Sequence, residues 1–163
     1  MCYSRAMEVL ASWGFIVVAP KSCPNDWCHD WFEDVLSSIR DVRGKGGVFE
    51  YADFNRTGVI GHSMGGNAVV KIAGLKEVVE ELNIRASVGL EPAVMFDNST
   101  HPENIVIPTF FVTGTNDTTC PWQWVKEAYY RNRHRDRILL SIAGADHGED
   151  MNYGESRSLR FTP

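Results

Sequence analysis

The chain has 163 residues, with 16 Lys and Arg against 21 Asp and Glu, for a formal net charge of −5. That length suits a single domain, residues 1–163, around one core, and 44% hydrophobic with 23% charged residues excludes a disordered or fibrous chain. Mild acidity removes the basic footprint of nucleic-acid binding, and no apolar run approaches the roughly 20 residues of a membrane span, so neither nucleic acid nor a bilayer crossing is expected.

Arg5 precedes an apolar stretch ending in Phe15-Ile16-Val17-Val18-Ala19, but Glu8, Ser12 and Gly14 interrupt it, so it lacks the clean apolar centre of a secretion signal. A helix over residues 4–12 fits better, with Ala6, Val9 and Leu10 on one face and Gly14 just past its end. Residues 15–20 form a continuous apolar run closed by Pro20, the pattern of a strand buried on both faces. From Asp30 onward, Trp31, Val35, Leu36, Ile39 and Val42 recur at helical spacing. Gly44-Lys45-Gly46-Gly47 then breaks the chain and is expected to be a mobile loop.

A second buried strand runs through Gly58-Val59-Ile60-Gly61-His62. The helix that follows starts at Met64 and reaches about Leu75, with Ala68, Val69, Ile72 and Ala73 inward. Residues 76–82 either extend it or form a separate turn. The next strand is Ala86-Ser87-Val88-Gly89-Leu90, ended by Glu91-Pro92. After a loop carrying Asn98, Ser99 and Pro102, residues 108–113 make the fourth strand. Pro121 opens a helix holding Trp124, Val125 and Tyr129, and residues 138–142 are the last strand. Alternating strands and helices imply an α/β fold: a mostly parallel sheet of about five strands with helices on both faces.

Four cysteines, Cys2, Cys23, Cys28 and Cys120, are too few for a disulfide scaffold at this length. No CxxC pair or His-x3-His spacing points to a metal. Cys23 and Cys28 flank Pro24-Asn25-Asp26, where a short-loop disulfide is sterically feasible and two free thiols are the alternative. The compartment stays open with that choice, the bridged form being compatible with secretion.

Sites in parallel sheets gather at the carboxyl ends of the strands. The strand at 58–62 runs into Gly61-His62-Ser63-Met64-Gly65-Gly66, a G-x-S-x-G match set between strand and helix. A sharp turn there strains the nucleophile's backbone, and small residues two before and two after it let strand and helix approach. Gly61 and Gly65 meet that need, and Gly66 adds room. Ser63 is therefore the expected nucleophile, with the backbone N–H of Met64 and the helix N-terminus facing developing charge. His62 lies on the wrong side of the turn for a base and reads as a packed elbow residue.

A serine hydroxyl needs a base, and the base an orienting carboxylate. Gly114-Thr115-Asn116-Asp117 sets an acid just past the fourth strand. Gly144-Ala145-Asp146-His147-Gly148 sets a histidine past the last. Asp146 competes for the acid role, but neighbouring residues seldom achieve the needed side-chain geometry. Glu149 and Asp150 read as solvated, and His29, His101 and His134 as structural or incidental. The order Ser63, Asp117, His147 is that of the α/β-hydrolases.

On these motifs the chain resembles the dienelactone hydrolase, cutinase-like and chlorophyllase group of that superfamily. Leu10-Ala11-Ser12-Trp13-Gly14-Phe15-Ile16-Val17-Val18-Ala19-Pro20 resembles the helix and strand before the elbow in bacterial cutinase-like polyester hydrolases. Gly61 to Gly66 resembles their elbow, Pro108 to Asp117 with Pro121 their acid strand, and Ala143 to His147 their histidine loop. Two departures stand out. Those enzymes carry an aromatic clamp after the third strand, where this chain has Glu91-Pro92-Ala93-Val94, with Trp122 and Trp27 on other loops as substitutes. They also begin with further strands, one of whose loops gives the second oxyanion-hole N–H. That second donor is unidentified here, residues 21–26 being one source, and a truncated α/β-hydrolase is the expectation.

The resemblance implies a serine hydrolase of carboxylic esters, small or polymeric, working through an acyl-enzyme without cofactor or metal. The alternative is a weak or inactive truncated domain that binds without turnover.

Overall fold

A computed structural model describes residues 3–20 and 31–148. Expectations for Cys2, Cys23, Cys28, Trp27, His29, the 21–26 loop, Glu149 and Asp150 lie outside the described residues. Helix α1 (Ser4–Ser12) leads, followed by α2 (Trp31–Val42) and a short 3-10 turn at Gly47–Tyr51. Strand β1 (Thr57–His62), helices α3 (Met64–Ala73) and α4 (Lys76–Glu81), and strand β2 (Ile84–Leu90) come next. A 3-10 turn at Pro102–Asn104, strand β3 (Thr109–Gly114), helix α5 (Trp122–Arg131) and strand β4 (Arg137–Ile142) complete the described elements. The 76–82 stretch thus makes a separate helix, and the glycine run leads into a 3-10 turn. Among the described residues no helix is long and apolar enough to cross a membrane.

The strands form one parallel sheet in the order β1-β2-β3-β4. Alternate strand residues face opposite sides, so Val59, Phe111 and Leu139 share one face. There they meet Val69, Val70 and Ile72 of α3 and Val125 and Ala128 of α5 in a single core. Helix α2 adds Leu36 to that core and is tied to the end of α4 by a two-pronged Arg40–Glu81 pair at 3.0 and 3.1 Å. The other face carries a cross-strand row of Ile60, Val88, Phe110 and Ile138. Ile60 is 48% and Ile138 61% exposed.

One sequence expectation changes here. Strand order without a reversal sends every right-handed crossover between β1 and β4 to the same side of the sheet, so covering the opposite side requires elements outside residues 57–142. The change concerns residues 15–20, which pair with no described strand, so the described sheet has four strands. A strand is worth burying only where both its faces are covered. Phe15 at 63% and Val18 at 41% exposure show that this stretch finds no such cover.

Candidate active site

Strand β1 enters the turn at Ser63, whose φ of 55° and ψ of −119° lie where an L-residue is strained by about 1–3 kcal/mol. The surroundings hold it there. The Ser63 N–H donates to the Leu90 carbonyl at 3.0 Å, and its own carbonyl accepts from the Asn67 and Ala93 amides at 2.9 and 3.0 Å. Strand and helix meet so closely that a Cβ on Gly61 would sit 2.2 Å from the Gly65 carbonyl oxygen. One detail of the motif shifts. A Cβ on Gly65 would meet nothing within 4 Å, whereas one on Gly66 would lie 2.9 Å from Pro92 Cα. The close approach rests on Gly61 and Gly66, because Gly66 faces the loop that leaves the neighbouring strand.

Asp117 sits in the turn after β3 and is 4% exposed. Its Oδ1 accepts the Thr119 and Cys120 amides, each at 2.8 Å. That fixes Oδ2 toward His147, whose Nδ1–H donates to it at 2.8 Å. With Nδ1 protonated, Nε2 keeps its lone pair and can accept a proton. The two loops are strapped together: Asn116 N–H reaches the Ala145 carbonyl at 2.9 Å, and Gly144 N–H the Thr115 hydroxyl at 2.8 Å. Asp146 is exposed, so it is Asp117 that the fold aims at His147.

Ser63 is the less direct member. Among the described contacts it has no hydrogen bond to His147. Its side chain instead neighbours the thiol of Cys120, a fully buried residue. Burial pushes that thiol up to about 12, the Asp117 charge adds to the rise, and the Ser63 side chain opposes it. Cys120 is therefore a neutral S–H at ordinary pH, wedged between the serine and the acid.

A further carboxylate stands in the site. Glu91, the residue just beyond β2, is fully buried and has φ 45°. Its Oε2 accepts the Gly148 N–H, lies 3.2 Å from His62 Nε2 and 3.6 Å from His147 Nδ1. His62 donates through Nε2, leaving Nδ1 to accept the Tyr3 hydroxyl at 3.0 Å. The His62 and His147 rings are 4.6 Å apart. In the sequence Glu91 reads only as a strand terminator, although its place at a strand's carboxyl end is the available signal.

The family described as PET hydrolase-like matches residues 7–159. The chain belongs to that family.

Solved structures with the same fold include a monoacylglycerol lipase from Paleococcus ferrophilus, with a TM-score of 0.64 at 16% identity over 89% of this chain and 80% of the lipase. An esterase from Pyrococcus furiosus gives 0.67 at 20% identity, covering 90% of this chain and 68% of the esterase. A dienelactone hydrolase from Anabaena variabilis gives 0.56 at 18% identity, over 72% and 49%. The chain spans about half the length of that hydrolase and of several others it matches. The fold and family are those of ester hydrolases of the α/β-hydrolase type.

In this PET hydrolase-like chain, two groups of three side chains bring donor atoms within 4.8 Å of one another: His62, Glu91 and His147, and Asp117, Cys120 and His147. Of these atoms, His147 Nδ1, Asp117 Oδ2 and Glu91 Oε2 are engaged in the hydrogen bonds just described, while Glu91 Oε1 is buried without a hydrogen-bond partner. A shallow cleft runs from Thr115, Asn116 and Asp117 to Pro121, Trp122 and Gln123. The Trp122 indole lies in it with the Lys126 ammonium 4.9 Å from its ring centre. Away from this edge, His101 pairs with Glu103 and His134 with the turn at Asp136.

Proposed function

We propose that this chain hydrolyses carboxylic esters by an acyl-enzyme mechanism. The observation that carries the reading is a buried Asp117 hydrogen-bonded to His147 at 2.8 Å, at the same sheet edge as a strained Ser63. Ser63 Oγ attacks the ester carbonyl carbon while its proton passes to His147 Nε2. The tetrahedral oxyanion is met by the Met64 N–H, the one donor assigned here, at the orphan-amide end of α3. Collapse breaks the bond to the alcohol, which leaves with the proton from His147. Water then attacks the acyl-serine with His147 again taking the proton, and the acid departs from a regenerated Ser63. Asp117 holds the tautomer that leaves Nε2 free and stabilises the imidazolium between steps.

The substrate is a small or polymeric ester. The loop after β2 begins Glu91-Pro92-Ala93-Val94 and turns its exposed Phe96 against Trp124, so Trp122, in the cleft with Asp117, is the aromatic surface assigned to substrate. Binding without turnover is a second reading, supported by the lack, among the described contacts, of a hydrogen bond from Ser63 to His147. A fluorophosphonate probe separates the two, because covalent capture needs an activated serine. Labelling of Ser63 with turnover of p-nitrophenyl esters is the expected result, and an unlabelled, folded chain would overturn the proposal.

A further inference from the structure

We propose that Glu91 is a second positioning acid for His147, an alternative acceptor for the same Nδ1–H that Asp117 engages. The inference rests on the triad reading above. It begins with topology: β2 and β3 are adjacent parallel strands, so residues just beyond their carboxyl ends arrive at one edge of the sheet. Glu91 follows β2 and Asp117 follows β3, and both carboxylates are buried.

Both point at one nitrogen. Asp117 Oδ2 is 2.8 Å and Glu91 Oε2 3.6 Å from His147 Nδ1. The second distance exceeds hydrogen-bond range by only a few tenths of an ångström, within reach of a small tilt of the ring. The Glu91 carboxylate is also attached to the histidine's own loop, since it accepts the N–H of Gly148, the next residue. His62 holds the same oxygen from the far side at 3.2 Å. A buried carboxylate needs such partners, and here those of Oε2 all belong to the elbow or to the histidine loop, while Oε1 has no hydrogen-bond partner among the described residues. The left-handed backbone of Glu91 at φ 45° has the character of strain retained where surroundings over-determine a position.

The consequence appears when Asp117 is lost. In an ordinary triad the acid-to-amide change presents the wrong partner to Nδ1 and costs about 10⁴ in rate. Here Asp117→Asn leaves Oδ1 capping Thr119 and Cys120, and the ring turns to Glu91. The loss is then about 10²-fold in kcat with little change in KM.

The test is a double-mutant cycle of Asp117→Asn and Glu91→Gln on p-nitrophenyl acetate, with proton NMR of the His147 Nδ1–H. Glu91→Gln alone costs less than about tenfold. On the Asp117→Asn background the same change costs a further ~10²-fold or more, which is non-additivity of the kind coupled groups show. The downfield Nδ1–H resonance persists in Asp117→Asn and disappears in the double variant. Equal factors on both backgrounds would reduce Glu91 to a structural clamp and overturn the inference, as would a ~10⁴-fold loss from Asp117→Asn alone. Should Glu91→Gln not fold, Asp117→Asn by itself decides. An inactive wild type that still shows the resonance in Asp117→Asn would sink the hydrolase reading while leaving the second acid standing; a resonance lost in that variant would sink the second acid instead.

Discussion

Replacing Gly114 by alanine probes the contact that brings acid and base together. A Cβ at that position would lie 2.4 Å from the Ala145 carbonyl oxygen and 2.8 Å from its carbon. Ordinary contact begins near 3.4 Å, so the two backbones must separate by about 1 Å, a shift that the hydrogen bond from Asn116 to Ala145 resists. His147 is two residues beyond Ala145, and the same displacement stretches its 2.8 Å bond to Asp117 beyond the range of a hydrogen bond. Misplacing a reacting group by about 1 Å lowers rates on the order of 10²-fold, and forcing a methyl into a closed contact destabilises by about 1–3 kcal/mol. The assay pairs kcat for p-nitrophenyl acetate with the urea unfolding midpoint. Gly65→Ala is the contrast for stability, because a Cβ there meets nothing within 4 Å and alanine favours helix by up to about 1 kcal/mol. If Gly114→Ala kept both wild-type kcat and midpoint, the reasoning that ties catalytic alignment to this approach would be refuted.

Ser63→Ala is expected to remove ester turnover by roughly 10⁶ while circular dichroism stays unchanged; activity within tenfold of wild type would assign the chemistry elsewhere. Cys120, held at about 12 by burial against an ordinary 9.0, should resist iodoacetamide in the folded chain and react once unfolded, as peptide mapping by mass spectrometry reads directly. The sign for stability follows: the unfolded thiol ionises first, so the midpoint falls between pH 9.0 and about 12, and Cys120→Ala removes that slope. Phe111→Ala, at a fully buried centre of the core, should lower unfolding free energy by about 3–5 kcal/mol.

What could be read from the sequence was what is local. Gly61 to Gly66 carries its own turn, and its flanking strand and helix follow from apolar spacing alone. Asp117 and His147 could be put forward because each follows a strand whose pattern is continuous, and the structure brings them to 2.8 Å. Glu91 was missed because its meaning comes from Gly148, 57 residues later, and from His62 on another strand. Cys120 looked like one of four unremarkable thiols, and only packing sets it against Ser63. Residues 15–20 misled for the opposite reason: an apolar run records what a strand would bury, and whether a neighbour exists to receive it is a property of the whole sheet. The choice between Gly65 and Gly66 likewise depended on Pro92, which periodicity does not see.

The unreversed strand order has a consequence for how the molecule is made. Among the described strands, each pairs with the one synthesised just before it, so a growing polypeptide leaving the ribosome lays down this part of its sheet in reading order. Folding can keep pace with translation, and partly made chains present one growing edge rather than two. The chemistry follows the same clock. Ser63 is in place after the first crossover, Glu91 and Asp117 after the second and third strands, and His147 only when β4 has docked. A nascent chain thus holds the strained Ser63 before Asp117 and His147 have arrived beside it.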